Sequence, residues 1–349
     1  MKNTRFQKIL ILPDAGPENP FQYQMIAFLR INGFEVQAGK KGKFGSIYKH
    51  VKDFDPEIVY FDWVHSFILG KSVVWSYIKS LLFIAEIIYL SSIKKIIIIH
   101  TLHNMQNHLQ LRLSLERVVY GFFLKHCSKI RVYSEAVKQK VIHQFNISPN
   151  RISVIKDIPY HQYYVNTSTK KNSREHLNIV ETAFVFLFFG RIKTYKGLET
   201  LIESFLSTAR QDDCLLIAGA NADQDYVLKL KNLSCNDPKI IWFDRFIAKE
   251  EVQYFFNAAD IVVLPFIRID HSGTIDLAMS FRKPVITLKT DSTKALLEHQ
   301  EILLFEETKD LADTLVKAHQ INTEQIGLQN FTIADSSNYH ELLQWFQKA

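Results

Sequence analysis

Residues 188–205 read FFGRIKTYKGLETLIESF. An apolar run stops at Gly190, the cations Arg191, Lys193 and Lys196 follow, and an amphipathic stretch begins. Strand, turn and helix in that order open a βαβ unit. Cations at the carboxyl end of a strand, beside a helix N-terminus, suit a bound anion. Two readings stand at this point: charges solvated on a loop, or a seat for a phosphate.

The same alternation extends in both directions. Toward the N-terminus, KILILP (8–13), FEVQAG (34–39), PEIVYFDW (56–63), KKIIIIHT (94–101), KIRVYS and ISVIKD read as strands with helical patterns between them. Toward the C-terminus, CLLIAGA, KIIWFD, DIVVLPF and PVITL do the same. Such alternation means parallel sheets buried on both faces. Residues 160–178 are polar, lack a period and read as a linker or irregular loop. The expectation is two doubly wound Rossmann-like α/β domains, 1–165 and 166–330, with a helix in 331–349 packing back toward the first. Ligands of such sheets sit at the carboxyl ends of strands, and here in the cleft that the two domains face.

A chain of 349 residues with 47% hydrophobic and 22% charged residues is globular and long enough for two cores. Three scattered cysteines form no disulfide framework or metal spacing, which fits a reducing cytoplasm. MKNTRFQK runs directly into the first strand, leaving no room for a signal peptide. The net charge of +6 divides into +13 for residues 1–175 and −7 for the rest. A basic half suggests that one lobe meets something anionic, such as a membrane surface. Nucleic acid would leave the motifs of the second half unexplained. VVWSYIKSLLFIAEIIYLSSI (73–93) is interrupted by Lys79 and Glu86, so it reads as a helix largely buried in a domain rather than a membrane span, a helix that dips into a bilayer surface being the alternative.

The order FFGRIKTYKG, LLIAGA, FNAADIVVLPF and SGTIDLAMSFRKPVI resembles the C-terminal domain of GT-B glycosyltransferases, most nearly family 4, in a subset linked to polysaccharide or glycolipid assembly. The resemblance covers about residues 180–310 and implies a nucleotide-sugar site. Arg191 and Lys196 map onto the residues that hold the donor's diphosphate, with Gly190 at the strand end. That chemistry needs fixed cations, because a nucleoside diphosphate leaves with developing negative charge. Gly219 ends the next strand, and Phe246 lies where the family lays the nucleobase. Ser272, Gly273 and Thr274 open a helix whose backbone N–H groups and close approach suit a phosphate, with Asp270 beside them. The family's two glutamates are absent: their places are Ile269 and Leu277.

In the first half, the loop after the first strand, including Asn19, is expected to hold the acceptor. Asp14 is the only carboxylate directly after that strand and is a candidate general base, a turn residue being the alternative. HTLHNMQNH (100–108) is similar to the family's HN..PH stretch, which makes His103 a candidate catalytic residue and Asn104 and His108 cleft residues. No metal is implied, and no cofactor beyond the donor.

These residues describe a GT-B hexosyltransferase that moves a hexose from a GDP- or UDP-linked donor to an oligosaccharide or glycolipid acceptor in surface polysaccharide or glycan biosynthesis. It would be cytoplasmic and peripheral on the inner face of the plasma membrane. Lys40, Lys41, Lys43, Lys49, Lys52, Arg112 and Arg117 would meet anionic headgroups. A GT-B nucleotide-sugar epimerase or phosphorylase and a non-catalytic subunit are the rival readings.

Overall fold

A computed structural model describes residues 7–16, 19–40, 42, 45–106, 111–221, 223–269, 272–336 and 339–347. Two compact units divide the chain, one built from residues 1–158 and 338–349 and one from 159–337. The first carries β1 (Lys8–Leu12), β2 (Glu35–Ala38), β3 (Ile58–Phe61), β4 (Ile97–Thr101), β5 (Lys129–Val132) and β6 (Ile152–Val154). They form one parallel sheet in the order β2-β1-β3-β4-β5-β6. Strand residues alternate between two cores: Leu10, Leu12, Val59 and Phe61 on one face, Ile9, Ile11, Ile58 and Tyr60 on the other. Burial on both faces is why these strands are continuous apolar runs rather than alternating ones.

The second unit carries β7 (Phe184–Phe189), β8 (Asp213–Ala218), β9 (Ile240–Phe243), β10 (Ile261–Leu264), β11 (Val285–Leu288) and β12 (Leu304–Phe305). Its parallel order is β12-β11-β10-β7-β8-β9. Both sheets are doubly wound and α/β. Strand order reverses between β1 and β3 in the first and between β7 and β10 in the second. Ligands of such sheets bind outside the carboxyl ends of the strands at these reversals.

Three differences from the sequence reading have physical causes. Residues 160–178 are a built part of the second unit, and the division falls at Ile158 rather than 165. Helix Lys170–His176 buries Arg174, which donates to Asp260 Oδ2 at 2.7 Å, and Lys170 pairs with the same carboxylate. Composition hides such a segment because its charges find partners only after folding. The two-residue strand β12 is too short to show a period. Helix Val73–Ile88, continued by a π-turn over Tyr89–Ile93, is not largely buried: 28% of its most apolar 18-residue window lies inside the fold. By length and composition this helix is apolar enough to cross a membrane.

The last helix, Tyr339–Gln347, packs on the first unit. Leu342, Trp345 and Phe346 join the core that contains Ile9 and Tyr60. Lys129 Nζ donates to the Trp345 carbonyl at 2.7 Å.

Candidate functional site

At the β7/β10 reversal the backbone packs against itself. Gly190 ends β7 with φ +130°, and its N–H donates to the Ala218 carbonyl at 3.0 Å. Gly219 ends β8 with φ +151°, and a Cβ there would stand 1.9 Å from the Gly190 carbonyl oxygen. Gly197 has φ +73°, and its Cβ would stand 1.9 Å from the Pro265 carbonyl oxygen just past β10. Only glycine satisfies both demands, positive φ and backbone contact. These contacts bring the Thr194–Lys196 turn onto the loop after β10, at the start of helix Leu198–Thr208.

Arg191 and Lys196 therefore stand where the topology puts ligands. Arg191 is exposed, and no carboxylate pairs with either cation among the described residues. Lys196 Nζ lies 4.2 Å from the Phe266 ring centroid and 5.6 Å from that of Tyr195. Loss of water around the ammonium, followed by the nearby charge of Lys193, lowers its pKa from 10.5 to about 8. A cation held short of water and of counter-charge is poised for an anion.

The other expected donor residues spread along the same strand ends. Thr274 is near Gly190: a Cβ built on the glycine would be 3.7 Å from Thr274 Oγ1. Ser272 caps helix Gly273–Ser280, its Oγ accepting from the Thr274 N–H at 3.3 Å. That amide is thus already bonded, so Ser272 acts as a helix cap. The space beside Gly273 belongs to Tyr160, whose hydroxyl would be 3.1 Å from a Cβ there. Phe246 is half-exposed in the loop beyond β9, next to Arg245, which pairs with Glu251 at 2.6 Å. Asp270 lies outside the described residues.

The β1/β3 reversal of the first unit holds a second constellation. Fully buried Gln22 donates to the Pro13 carbonyl and to Asp62 Oδ2, both at 2.9 Å, and accepts from the Ala15 N–H. Gln22 is placed by helix Pro20–Ile31, capped by Asn19, which accepts from the Gln22 N–H at 3.3 Å. Asp62 Oδ1 accepts from His103 Nε2 at 3.4 Å, and Tyr133 donates its O–H to His103 Nδ1 at 3.2 Å. Burial, then the nearby Asp157 carboxylate, raise the Tyr133 pKa well above 10, so Tyr133 keeps its proton. The imidazole is stacked on Trp63 at 4.8 Å and met edge-on by Phe21 at 4.9 Å. Asp62 thus fixes the tautomer that leaves Nδ1 as the acceptor.

Asp14 is in a different situation. Its Oδ1 accepts from the Gly16 N–H at 2.9 Å and from Tyr23 at 3.3 Å, as an aspartate closing a turn does. Asp62, Gln22 and Tyr133 escaped the sequence reading. Asp62 did carry a signal, since it follows IVYF as directly as Asp14 follows the first strand. Asn104 accepts through its backbone carbonyl from His65 Nε2 at 3.3 Å, and His65 pairs with buried Glu116 at 2.6 Å. Beside them is a hollow of about 630 Å³ lined by Met105, Leu113, Glu116, Arg117, Lys140 and His143, among others. His108 lies outside the described residues. Among the described residues no three His, Cys, Asp or Glu side chains gather to hold a metal.

Two doubly wound parallel sheets are the architecture of the GT-B fold, and solved structures of that fold superpose on the whole chain. Residues 183–320 match the family described as glycosyl transferases group 1. An uncharacterized glycosyltransferase of Methanocaldococcus jannaschii is 26% identical over 179 residues, 50% of this chain and 45% of its own length. A GDP-mannose:glycolipid 4-beta-D-mannosyltransferase of Xanthomonas campestris is 28% identical over 112 residues, 32% of each chain. The chain thus spans less than half the length of these relatives. Among solved structures, Anabaena HepE in complex with UDP and glucose superposes with TM-score 0.74 at 17% identity, covering 99% of both chains.

Proposed function

We propose that this protein transfers a hexose from a GDP- or UDP-linked donor to a hydroxyl of an oligosaccharide or lipid-linked acceptor, in the assembly of a surface glycan. The observation that carries the reading is the pair Arg191 and Lys196, cations without carboxylate partners among the described residues, at the strand-order reversal of the segment that matches group 1. The names of the relatives agree with it: one takes GDP-mannose and a glycolipid, and one structural neighbour binds UDP and glucose. The hollow beside Met105 and Leu113 suits the acceptor, with charged groups for sugar hydroxyls and apolar walls for their faces.

In this mechanism the acceptor hydroxyl takes the place of the Tyr133 hydroxyl at His103 Nδ1 and gives up its proton there. Its oxygen bonds to the anomeric carbon of the sugar as the bond from that carbon to the diphosphate breaks. The Asp62 carboxylate stabilises the imidazolium, the diphosphate leaves with the electron pair of the broken bond, and in the second unit the cations Arg191 and Lys196 suit the charge of such a diphosphate. These cations do the work that a metal ion does in other transferases, so no added metal is needed. A single displacement inverts the anomeric centre, in keeping with the missing family glutamates.

Thermal-shift measurement with UDP and GDP tests the donor seat. Wild type is expected to be stabilised by one of them, and Arg191→Ala and Lys196→Ala to lose the shift. Unchanged shifts in both variants would remove the diphosphate assignment.

A further inference from the structure

Helix Val73–Ile88 is turned inside out relative to its sequence. The two charges that interrupt the apolar run point into the fold. Lys79 donates to the carbonyls of Ser66 and Leu69, at the end of the short helix His65–Ile68. Glu86 Oε1 accepts from the Tyr48 N–H at 3.0 Å, at the start of helix Ser46–Phe54. Phe83 and Ile87 fill the core on the same inner side, and Ser80 donates to the Ile68 carbonyl at 3.2 Å. What faces out is Val74, Tyr77, Ile78, Leu81, Ala85 and Ile88, an unbroken apolar stripe at helical spacing. Val74 is 69% and Leu81 67% exposed. At 1.5 Å per residue the stripe is about 21 Å long.

Its ends are basic. Exposed Lys71 precedes the stripe and exposed Lys94 and Lys95 follow it, while the one acid between them, Glu86, is the residue turned inward. Exposed Lys49 and Lys52 stand on the neighbouring helix, joined to the far end through the Tyr48–Tyr89 ring contact at 5.1 Å. An apolar stripe this long on a soluble surface marks an interaction site. From the lysines at both ends, we infer that helix Val73–Ile88 lies flat in an anionic lipid surface, its stripe among the acyl chains and Lys71, Lys94 and Lys95 at the phosphates. A second copy laid on the same stripe would bring lysines against lysines in either orientation, so charge selects lipid over self-association. Lys79, Glu86 and Phe83 tie the inner face to the fold, which fits a helix lying in the interface rather than one crossing the bilayer.

This deepens the glycolipid reading of the acceptor and rests on it only there. Arg112 directly precedes Leu113 of the hollow, and it donates to the Gly70 carbonyl at 3.1 Å and the Lys71 carbonyl at 3.4 Å. One residue therefore joins the head of the membrane helix to the rim of the hollow. A lipid-linked acceptor would arrive from the surface on which the helix lies. Arg112 itself is spent on these carbonyls, so the headgroup contacts pass to the lysines.

The test is flotation of the full chain with vesicles of equimolar phosphatidylglycerol and phosphatidylcholine, against phosphatidylcholine alone. Wild type is expected to float with the anionic vesicles only. Leu81→Glu is expected to weaken partition about tenfold or more, by putting a charge where apolar area was buried. Lys94→Glu with Lys95→Glu should lose at least fivefold per lysine, which is about 1 kcal/mol each near such a surface. Both sites are exposed, and an unchanged melting temperature certifies each variant's fold. Wild type that does not float, or floats as well after Leu81→Glu, overturns the inference. So does a dimer in sedimentation that Leu81→Glu dissociates, which gives the stripe to a second copy. A UDP or GDP thermal shift in the same samples reports on the donor seat independently.

Discussion

Raising the pH across the pKa of Lys196 should loosen its hold on a nucleoside diphosphate. The Lys196 ammonium stands over Phe266, short of water and beside Lys193, with its pKa lowered from 10.5 to about 8. That displacement corresponds to about 3 kcal/mol set against the charged form, by lost solvation first and the charge of Lys193 second. A bound diphosphate returns a counter-charge, so the pKa rises on binding. Below pH 8 free and bound protein both carry the ammonium, and affinity is flat. Above it the free protein loses the proton that the complex keeps, and affinity falls by up to about tenfold per pH unit until the bound pKa is reached. Tyr195 stays out of this window because burial raises its pKa above 10. Calorimetric titration with UDP or GDP at pH 8.5, in two buffers of different ionisation heat, should show net proton uptake on binding. Lys196→Met should bind more weakly at pH 7, take up no proton, and melt at a higher temperature at neutral pH without ligand. Wild-type affinity that is level from pH 7 to pH 9.5, or an equal slope in Lys196→Met, refutes the reasoning.

Other outcomes follow from the two strand-order reversals. Asp62→Asn keeps the size of the side chain but removes the charge that holds His103, so turnover should fall about a hundredfold while the nucleotide thermal shift stays. A lost thermal shift would show instead that Asp62 serves the fold. Gly197→Ala would set a methyl 1.9 Å from the Pro265 oxygen at φ +73°. At least about 2 kcal/mol of stability should be lost, read by chemical denaturation, together with nucleotide binding as the Lys196 turn shifts. An alanine variant that melts and binds as wild type does would show that this backbone contact is not needed.

Much of this protein was legible in its sequence because the signals were local. Apolar runs such as KILIL and FVFLFF, buried on both faces, announce parallel strands without any partner in view. Gly190, Arg191 and Lys196 lie within seven residues of one another, so the strand-turn-helix that offers a diphosphate seat could be read directly. What sequence could not show depended on partners far away in the chain. Asp62 and Tyr133 converge on His103, Gln22 holds Asp62 from a third element, and only the order of strands brings them together. Residues 160–178 looked like a linker until Arg174 and Lys170 met Asp260, more than eighty residues on. Lys79 and Glu86 made the same kind of difference. In the sequence they are interruptions that argue for burial of an apolar helix, and a period of 3.6 says which residues share a face but not which face turns inward. The carbonyls of Ser66 and Leu69 and the amide of Tyr48 decide that, because a charge near the core must sit where its bonds are. The sequence determined that the helix has an apolar side; the tertiary structure alone decided that this side faces out.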